Sequence, residues 1–219
     1  PAIMPKNLKD LADKVSLVKE KVETVQIDIM DGIFVPEYTW PFPDFKEEME
    51  KIKKSGLPYW QEVNFELDLM VKNAASKIED WILLDPSRII FHIEAEDNLN
   101  VKKIKERVGD FIEIGLAINP QTPIENIELL LPEVDFVQCM GIARIGFQGE
   151  PFDERVFEHI DYVRTNYPYL TLAVDGGVNL KNAPDLIKAG IKRLVAGSAI
   201  FKSNNIPETI EKFYSIIKK

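Results

Sequence analysis

The chain has 219 residues, 45% of them hydrophobic and 29% charged, the composition of a globular domain able to bury about three-quarters of its unfolded surface. Its formal charge of −9, without an obvious Lys/Arg patch, argues against a nucleic-acid partner but not against a small phosphate held by main-chain N–H groups. A single cysteine, Cys139, excludes an intrachain disulfide and a Cys-rich metal motif and suits a reducing cytoplasm, while apolar runs of only a few residues exclude a membrane-spanning helix.

No charged-then-apolar signal segment opens the chain. It begins at Pro1-Ala2-Ile3-Met4, already strand-like, so either an initiator Met has been removed or residues precede it. From there short apolar runs alternate with longer amphipathic stretches, the rhythm of repeated βα units. Strands are predicted at 2–4, 25–30, 64–71, 88–93, 111–118, 136–140, 170–174 and 193–196. Helices are predicted at 8–21, 45–54, 74–83, 101–108, 124–131, 154–166, 180–189 and 207–218. Eight such pairs, with no Gly/Ser/Pro-rich linker, predict one α/β domain over residues 1–219, a single (β/α)8 TIM barrel. An open doubly wound sheet is the alternative, disfavoured by the count of eight.

Side chains alternate across a strand, so polar residues within strands are informative. In the second strand Gln26, Asp28 and Met30 share one face and Ile27 and Ile29 the other. In the third, Glu66, Asp68 and Met70 oppose Leu67, Leu69 and Val71; in the seventh, Thr171, Ala173 and Asp175 oppose Leu172 and Val174. The uniformly apolar faces belong against helices, which turns the carboxylates inward near the strand C-terminal ends, where such barrels carry their chemistry. One Asp at a strand end is usually a turn or cap residue, and Asp31 before Gly32 is read so. Three on inward faces are harder to dismiss, because burying uncompensated carboxylates is costly. Met4, Met30, Met70 and Met140 are read as gap-filling core residues.

Glycine clusters follow the last three strands: Gly146-Phe147-Gln148-Gly149, Gly176-Gly177 and Gly197-Ser198. Glycine admits positive φ and lets main-chain N–H groups approach an anion closely. Clusters on neighbouring loops after late barrel strands predict a phosphate seat.

The chain resembles the ribulose-phosphate 3-epimerase family in Ile27-Asp28-Ile29-Met30-Asp31-Gly32-Ile33-Phe34-Val35-Pro36, Leu69-Met70-Val71 and Phe91-His92-Ile93-Glu94-Ala95. The resemblance continues through Gly115-Leu116-Ala117-Ile118-Asn119-Pro120, Thr122-Pro123, Gly146-Phe147, Val174-Asp175-Gly176-Gly177-Val178-Asn179 and Val195-Ala196-Gly197-Ser198-Ala199-Ile200-Phe201. It implies a (β/α)8 enzyme that inverts C3 of a ketopentose phosphate, with Asp28 and Asp175 as the acid/base pair on opposite faces of the substrate. A proton α to the C2 carbonyl leaves to one carboxylate and returns from the other. The family stabilises the enediolate between them with a divalent metal.

The family pattern departs at the metal. Gln26 and Asp68 stand where its two histidine ligands are expected, and Pro5 where a Ser is expected. The loop Gly141-Ile142-Ala143-Arg144-Ile145-Gly146 is one residue longer and lacks the Asn-Pro. The resulting set, Gln26, Asp28, Asp68 and Asp175, is all oxygen and predicts Mg2+ or Mn2+ over Zn2+. Without a cation, three carboxylates facing a phosphorylated substrate repel it and one another; the alternative is that the metal has been lost. His92 is read as a satisfied structural histidine, and His159, in a helix, as a surface residue.

The leading expectation is therefore a sugar-phosphate epimerase. Related barrels that decarboxylate or condense sugar phosphates carry Asp-x-Lys-x-x-Asp on the second strand; here Met30 and Ile33 follow Asp28 instead. A barrel that binds a phosphate ester without epimerising it is the non-enzymatic alternative. The resemblance further implies a homo-oligomer, with Trp40, Phe42 and Trp60 either at contacts between copies or in the core.

Overall fold

A computed structural model describes residues 1–147 and 149–218. Its eight strands follow one another in the sheet in chain order, and within each unit neighbouring strands pair in parallel. The chain falls into two compact units, Pro1–Ile114 and Gly115–Lys219. Among the described residues no helix is long and apolar enough to cross a membrane.

The first unit holds β1 (Ala2–Ile3), β2 (Thr24–Met30), β3 (Asn64–Met70) and β4 (Arg88–His92). Between and after them run α1 (Leu8–Ser16), α2 (Phe45–Ser55), α3 (Ile78–Ile82) and α4 (Val101–Val108). Asn7 starts α1 by accepting from the Asp10 N–H at 2.9 Å. The helix ends at Ser16 rather than at 21, and the turn residues beyond it still bury Val18. The predicted 74–83 helix is broken at Lys77 (φ −114°, ψ 26°): a 3-10 turn, Ala74–Lys77, follows Asn73 at its left-handed φ of 51° and precedes the short α3. Gly109 ends α4 with φ 64°. Phe111, expected to open the fifth strand, lies instead in the 3-10 turn after it and is 92% exposed.

β5 (Glu113–Ile118) carries the chain into the second unit, followed by β6 (Phe136–Met140), β7 (Thr171–Asp175) and β8 (Arg193–Val195). The helices are α5 (Glu125–Glu128), α6 (Val156–Asn166), α7 (Ala183–Lys188), α8 (Ser198–Phe201) and α9 (Ile206–Ile217). α8 has no counterpart among the predicted helices. His159 corrects the expectation of a surface residue. It is buried on α6 with Val156, Ile160 and Val163, the i, i+3, i+4, i+7 stripe that a helix turns to its core.

Of the three aromatics weighed for contacts between copies, Trp40 is core, with its indole N–H donating to Glu48 Oε2 at 2.5 Å. Phe42 stacks on Phe45 at 5.1 Å between centroids, and Trp60 is half exposed. Met30, Met70 and Met140 are buried, as read, and Met4 is intermediate in exposure.

Candidate active site

In the first unit the parallel register sets Gln26 opposite Glu66, Asp28 opposite Asp68 and Met30 opposite Met70. Two carboxylates thus stand side by side near the C-terminal ends of β2 and β3, with Asp28 5% exposed and Asp68 fully buried. Each has an oxygen within 4.8 Å of the other's. One layer down the charge is compensated, because Arg88 Nη1 meets Glu66 Oε2 at 3.0 Å. No Lys or Arg among the described residues pairs with Asp68. The Gln26 amide nitrogen donates to Asp28 Oδ1 at 2.8 Å, and His92 Nε2 lies 2.8 Å from Asp68 Oδ1. Asp68 Oδ2 remains, buried and with no hydrogen-bond partner among the described residues. An orphaned anionic oxygen in a buried, oxygen-rich donor set is what a hard divalent cation fits.

The loop after β2 is folded back onto this pair. Thr39 Oγ1 donates to the Asp28 carbonyl at 2.7 Å and accepts from the Met30 N–H at 3.0 Å. Asp31 is a turn residue, as expected, with Oδ1 accepting from the N–H groups of Ile33 and Phe34 at 2.9 and 3.0 Å. It does more than turn the chain, since Oδ2 accepts from the Lys72 N–H at 2.9 Å and ties this loop to the one after β3. Lys72 and Asn73 in turn hold Asp97 in the loop after β4, at 2.7 and 2.8 Å. Pro5, where a Ser was expected, offers only its carbonyl, which accepts from the Trp40 N–H at 2.8 Å. A separate groove of about 800 Å3, lined in part by Asn73, Ser76, Glu96, Lys103 and Arg107, holds none of the candidate residues.

In the second unit Asp175 closes β7, opposite Met140 on β6 and Val195 on β8. Its carbonyl accepts from the Gly141 N–H at 2.6 Å, which fixes where the loop after β6 departs. Gly176 and Gly177 follow at φ 96° and 68°. The Gly177 carbonyl is turned toward the side-chain amides of Asn179 and Asn182, at 2.9 and 3.1 Å. Among the described residues the N–H groups of Gly177, Gly197 and Ser198 donate no hydrogen bond.

Gly146 is buried at φ 87°, and Phe147 is half-buried beneath the Arg144 guanidinium, 4.7 Å from its ring centroid. Gln148 lies outside the described residues. A Cβ on Gly149 would stand 3.8 Å from Lys202 Nζ, so an ammonium group hangs over this glycine loop. Sequence reasoning missed Lys202 and Thr39; a Lys just beyond Gly197-Ser198 was the available signal for the first, and Thr39 had none. Cys139 is excluded as a nucleophile, since full burial pushes its thiol up to about 12.

Comparison with known proteins gives the family and the fold. The profile described as the Ribulose-phosphate 3 epimerase family matches residues 1–201. Ribulose-phosphate 3-epimerase of Helicobacter pylori is 30% identical over 99% of this chain and 96% of its own. That of Treponema pallidum is 32% identical over 81% and 78%. Among solved structures, KGPDC from Streptococcus mutans in complex with D-R5P superposes with a TM-score of 0.71 at 14% identity, over 99% of this chain and 95% of that one. 3-Hexulose-6-phosphate synthase from Salmonella typhimurium gives 0.68 at 11%, over 99% and 96%. These likenesses show the fold, the (β/α)8 barrel that the strand order describes. With its fold shared and its length matched almost throughout, the chain belongs to the ribulose-phosphate 3-epimerase family.

Proposed function

We propose that the chain is a ketose-phosphate epimerase that inverts C3 of a ketopentose phosphate by proton transfer between two aspartates, Asp28 and Asp175. The observation that carries the reading is the Asp28–Asp68 pair, two buried carboxylates in register at strand ends, one keeping an oxygen with no protein partner. Family membership supports the reaction type.

One carboxylate takes the C3 proton as the C3–H electron pair moves toward the C2 carbonyl, giving an enediolate. The other, already protonated, delivers a proton to the opposite face of C3, and the roles exchange when the substrate runs the other way. Asp28 and Asp68, with Asp175 as the proposed third carboxylate, would hold a divalent cation, Mg2+ or Mn2+ rather than Zn2+ because every donor is an oxygen. Bound there, the cation supplies Lewis-acid stabilisation of the charge that grows on the substrate oxygens. Gln26 holds Asp28 through its amide nitrogen, and its amide oxygen would supply a fourth oxygen donor. Asp68 also borders the substrate.

The phosphate is received by the main-chain donors of Gly177, Gly197 and Ser198, with Gly176 shaping their loop. Gly146, Phe147 and Gly149 approach it from the loop after β6; Gln148, expected with them, lies outside the described residues. The cytoplasm and self-association into a homo-oligomer belong to the same proposal, supported by the buried single cysteine and by the family resemblance.

The test is exchange at C3 in deuterated water with ketopentose and ketohexose phosphates, with and without Mn2+. Exchange that Asp28→Asn and Asp175→Asn each abolish is the expected result. Binding of the phosphate ester with no exchange under any metal would replace this reading with that of a non-catalytic barrel, an outcome favoured by Pro5 and by the replaced metal-site histidines.

A further inference from the structure

The His92–Asp68 contact joins two fully buried side chains at 2.8 Å, and nothing in the reaction above uses the imidazole. Asp68 faces Ile90 across the ladder, so His92 stands two residues further toward the C-terminal end of β4 and meets the carboxylate on a diagonal. Its ring is backed by Phe34, at 5.7 Å between centroids and 53° between planes. Phe34 is in turn held by the Asp31 cap. The imidazole is thus placed by the loop after β2 and spends Nε2 on Asp68 Oδ1, leaving Oδ2 as the oxygen without a protein partner.

We propose that His92 is a positioning residue for the cation site: by donating Nε2–H to Asp68 Oδ1 it fixes the carboxylate so that Oδ2 alone is presented as a ligand. A carboxylate with both oxygens open rotates and binds through one or both, which loses the definition of the site. A hydrogen bond to one oxygen removes that freedom before the cation arrives, and such supporting bonds to ligands are worth about 10–100-fold in metal affinity. A purely packing role for the ring predicts no effect that passes through Asp68. The inference rests on the cation site proposed above, and the two fail separately.

The experiment is Mn2+ alone, titrated into metal-free protein without substrate and followed by the loss of free Mn2+ signal in electron paramagnetic resonance. His92→Phe keeps a planar ring and removes the donor; it is expected to weaken Mn2+ binding about 10–100-fold. His92→Gln restores a donor and is expected to recover part of that loss. In the Asp68→Asn background His92→Phe is expected to add little further weakening, because its effect passes through the carboxylate. Unchanged Mn2+ affinity in His92→Phe, or full additivity with Asp68→Asn, overturns the positioning role and leaves the cation site standing. Wild-type protein that takes up no Mn2+ overturns the cation site and this inference together. Should His92→Phe fail to fold by circular dichroism, His92→Gln against Asp68→Asn decides by the same additivity criterion.

Discussion

Gly176→Ala tests whether the loop that follows Asp175 is held by shape. Gly176 has φ 96°, where an L residue is strained by about 1–2 kcal/mol. A Cβ there stands 2.7 Å from Ile142 Cγ1, 3.1 Å from Cγ2 and 3.2 Å from Cδ1. Ile142 is buried and branched at Cβ, so few rotamers let it swing clear, and overpacking of this kind costs about 1–3 kcal/mol. The two effects sum to about 2–5 kcal/mol. At roughly 2–4 °C per kcal/mol for a domain of this size, Tm falls by about 10 °C. Thermal and urea unfolding measure it, and Ile142→Ala separates the causes because it removes all three clashing atoms. In that background Gly176→Ala costs only the backbone strain, so the changes are non-additive by about 1–3 kcal/mol. Strict additivity would refute the steric argument, and a drop of only 1–2 °C in the single variant would refute the conformational one as well.

Asp31→Asn and Asp31→Ala separate the turn from the loop-to-loop tie. Asn keeps an acceptor for the Ile33 and Phe34 N–H groups, but its amide nitrogen then faces the Lys72 N–H as donor against donor. Ala loses all three bonds and is expected to cost more, about 1–3 kcal/mol by urea unfolding; equal stability of Asn, Ala and wild type would reject the tie. Glu96 gives a pH-dependent case, because burial pushes its carboxyl above the usual range against the lowering effect of the Ala75 and Ala74 N–H groups. The folded state therefore holds more protons than the unfolded one between the ordinary value of 4.5 and the raised one, so this group's contribution is fully present below that window and is lost as pH rises through it. Glu96→Gln keeps an acceptor for the Ala75 N–H and removes the buried charge, so its Tm relative to wild type is expected to improve from pH 4 to pH 7. A difference that does not change with pH defeats the argument.

The barrel was legible because its signal is redundant. β6 falls at the predicted 136–140, and β2, β3 and β7 shift by a residue, since each is an apolar run bounded by turn residues. The failures occur where hydrophobicity and secondary structure part company. Phe111 is apolar yet exposed in a turn that Gly109 opens, and the stretch expected as one helix at 74–83 is broken at Lys77, whose non-helical backbone composition does not announce. His159 was misplaced because its neighbours at 156, 160 and 163 were not read as one stripe with it.

The aspartates could be read from strand parity, which assigns Asp28 and Asp68 to the same kind of face, but parity is silent about register. The pairing of Asp28 with Asp68 rather than with Glu66 depends on how β2 and β3 slide past one another, and a slip of two residues would preserve every face while separating the two carboxylates. In the structure that register is accompanied by backbone bonds at the strand end: Thr39 returns to Asp28 and Met30, and Asp31 reaches across to Lys72. His92 was harder still, because its contact with Asp68 is diagonal and joins residues 24 apart in sequence. An imidazole ligand presents one nitrogen to a metal in a fixed plane; a carboxylate presents two oxygens on a rotatable stem. A carboxylate at a cation site therefore needs something to choose the oxygen, and the imidazole of His92, 2.8 Å from Asp68 Oδ1, is the group placed to do so.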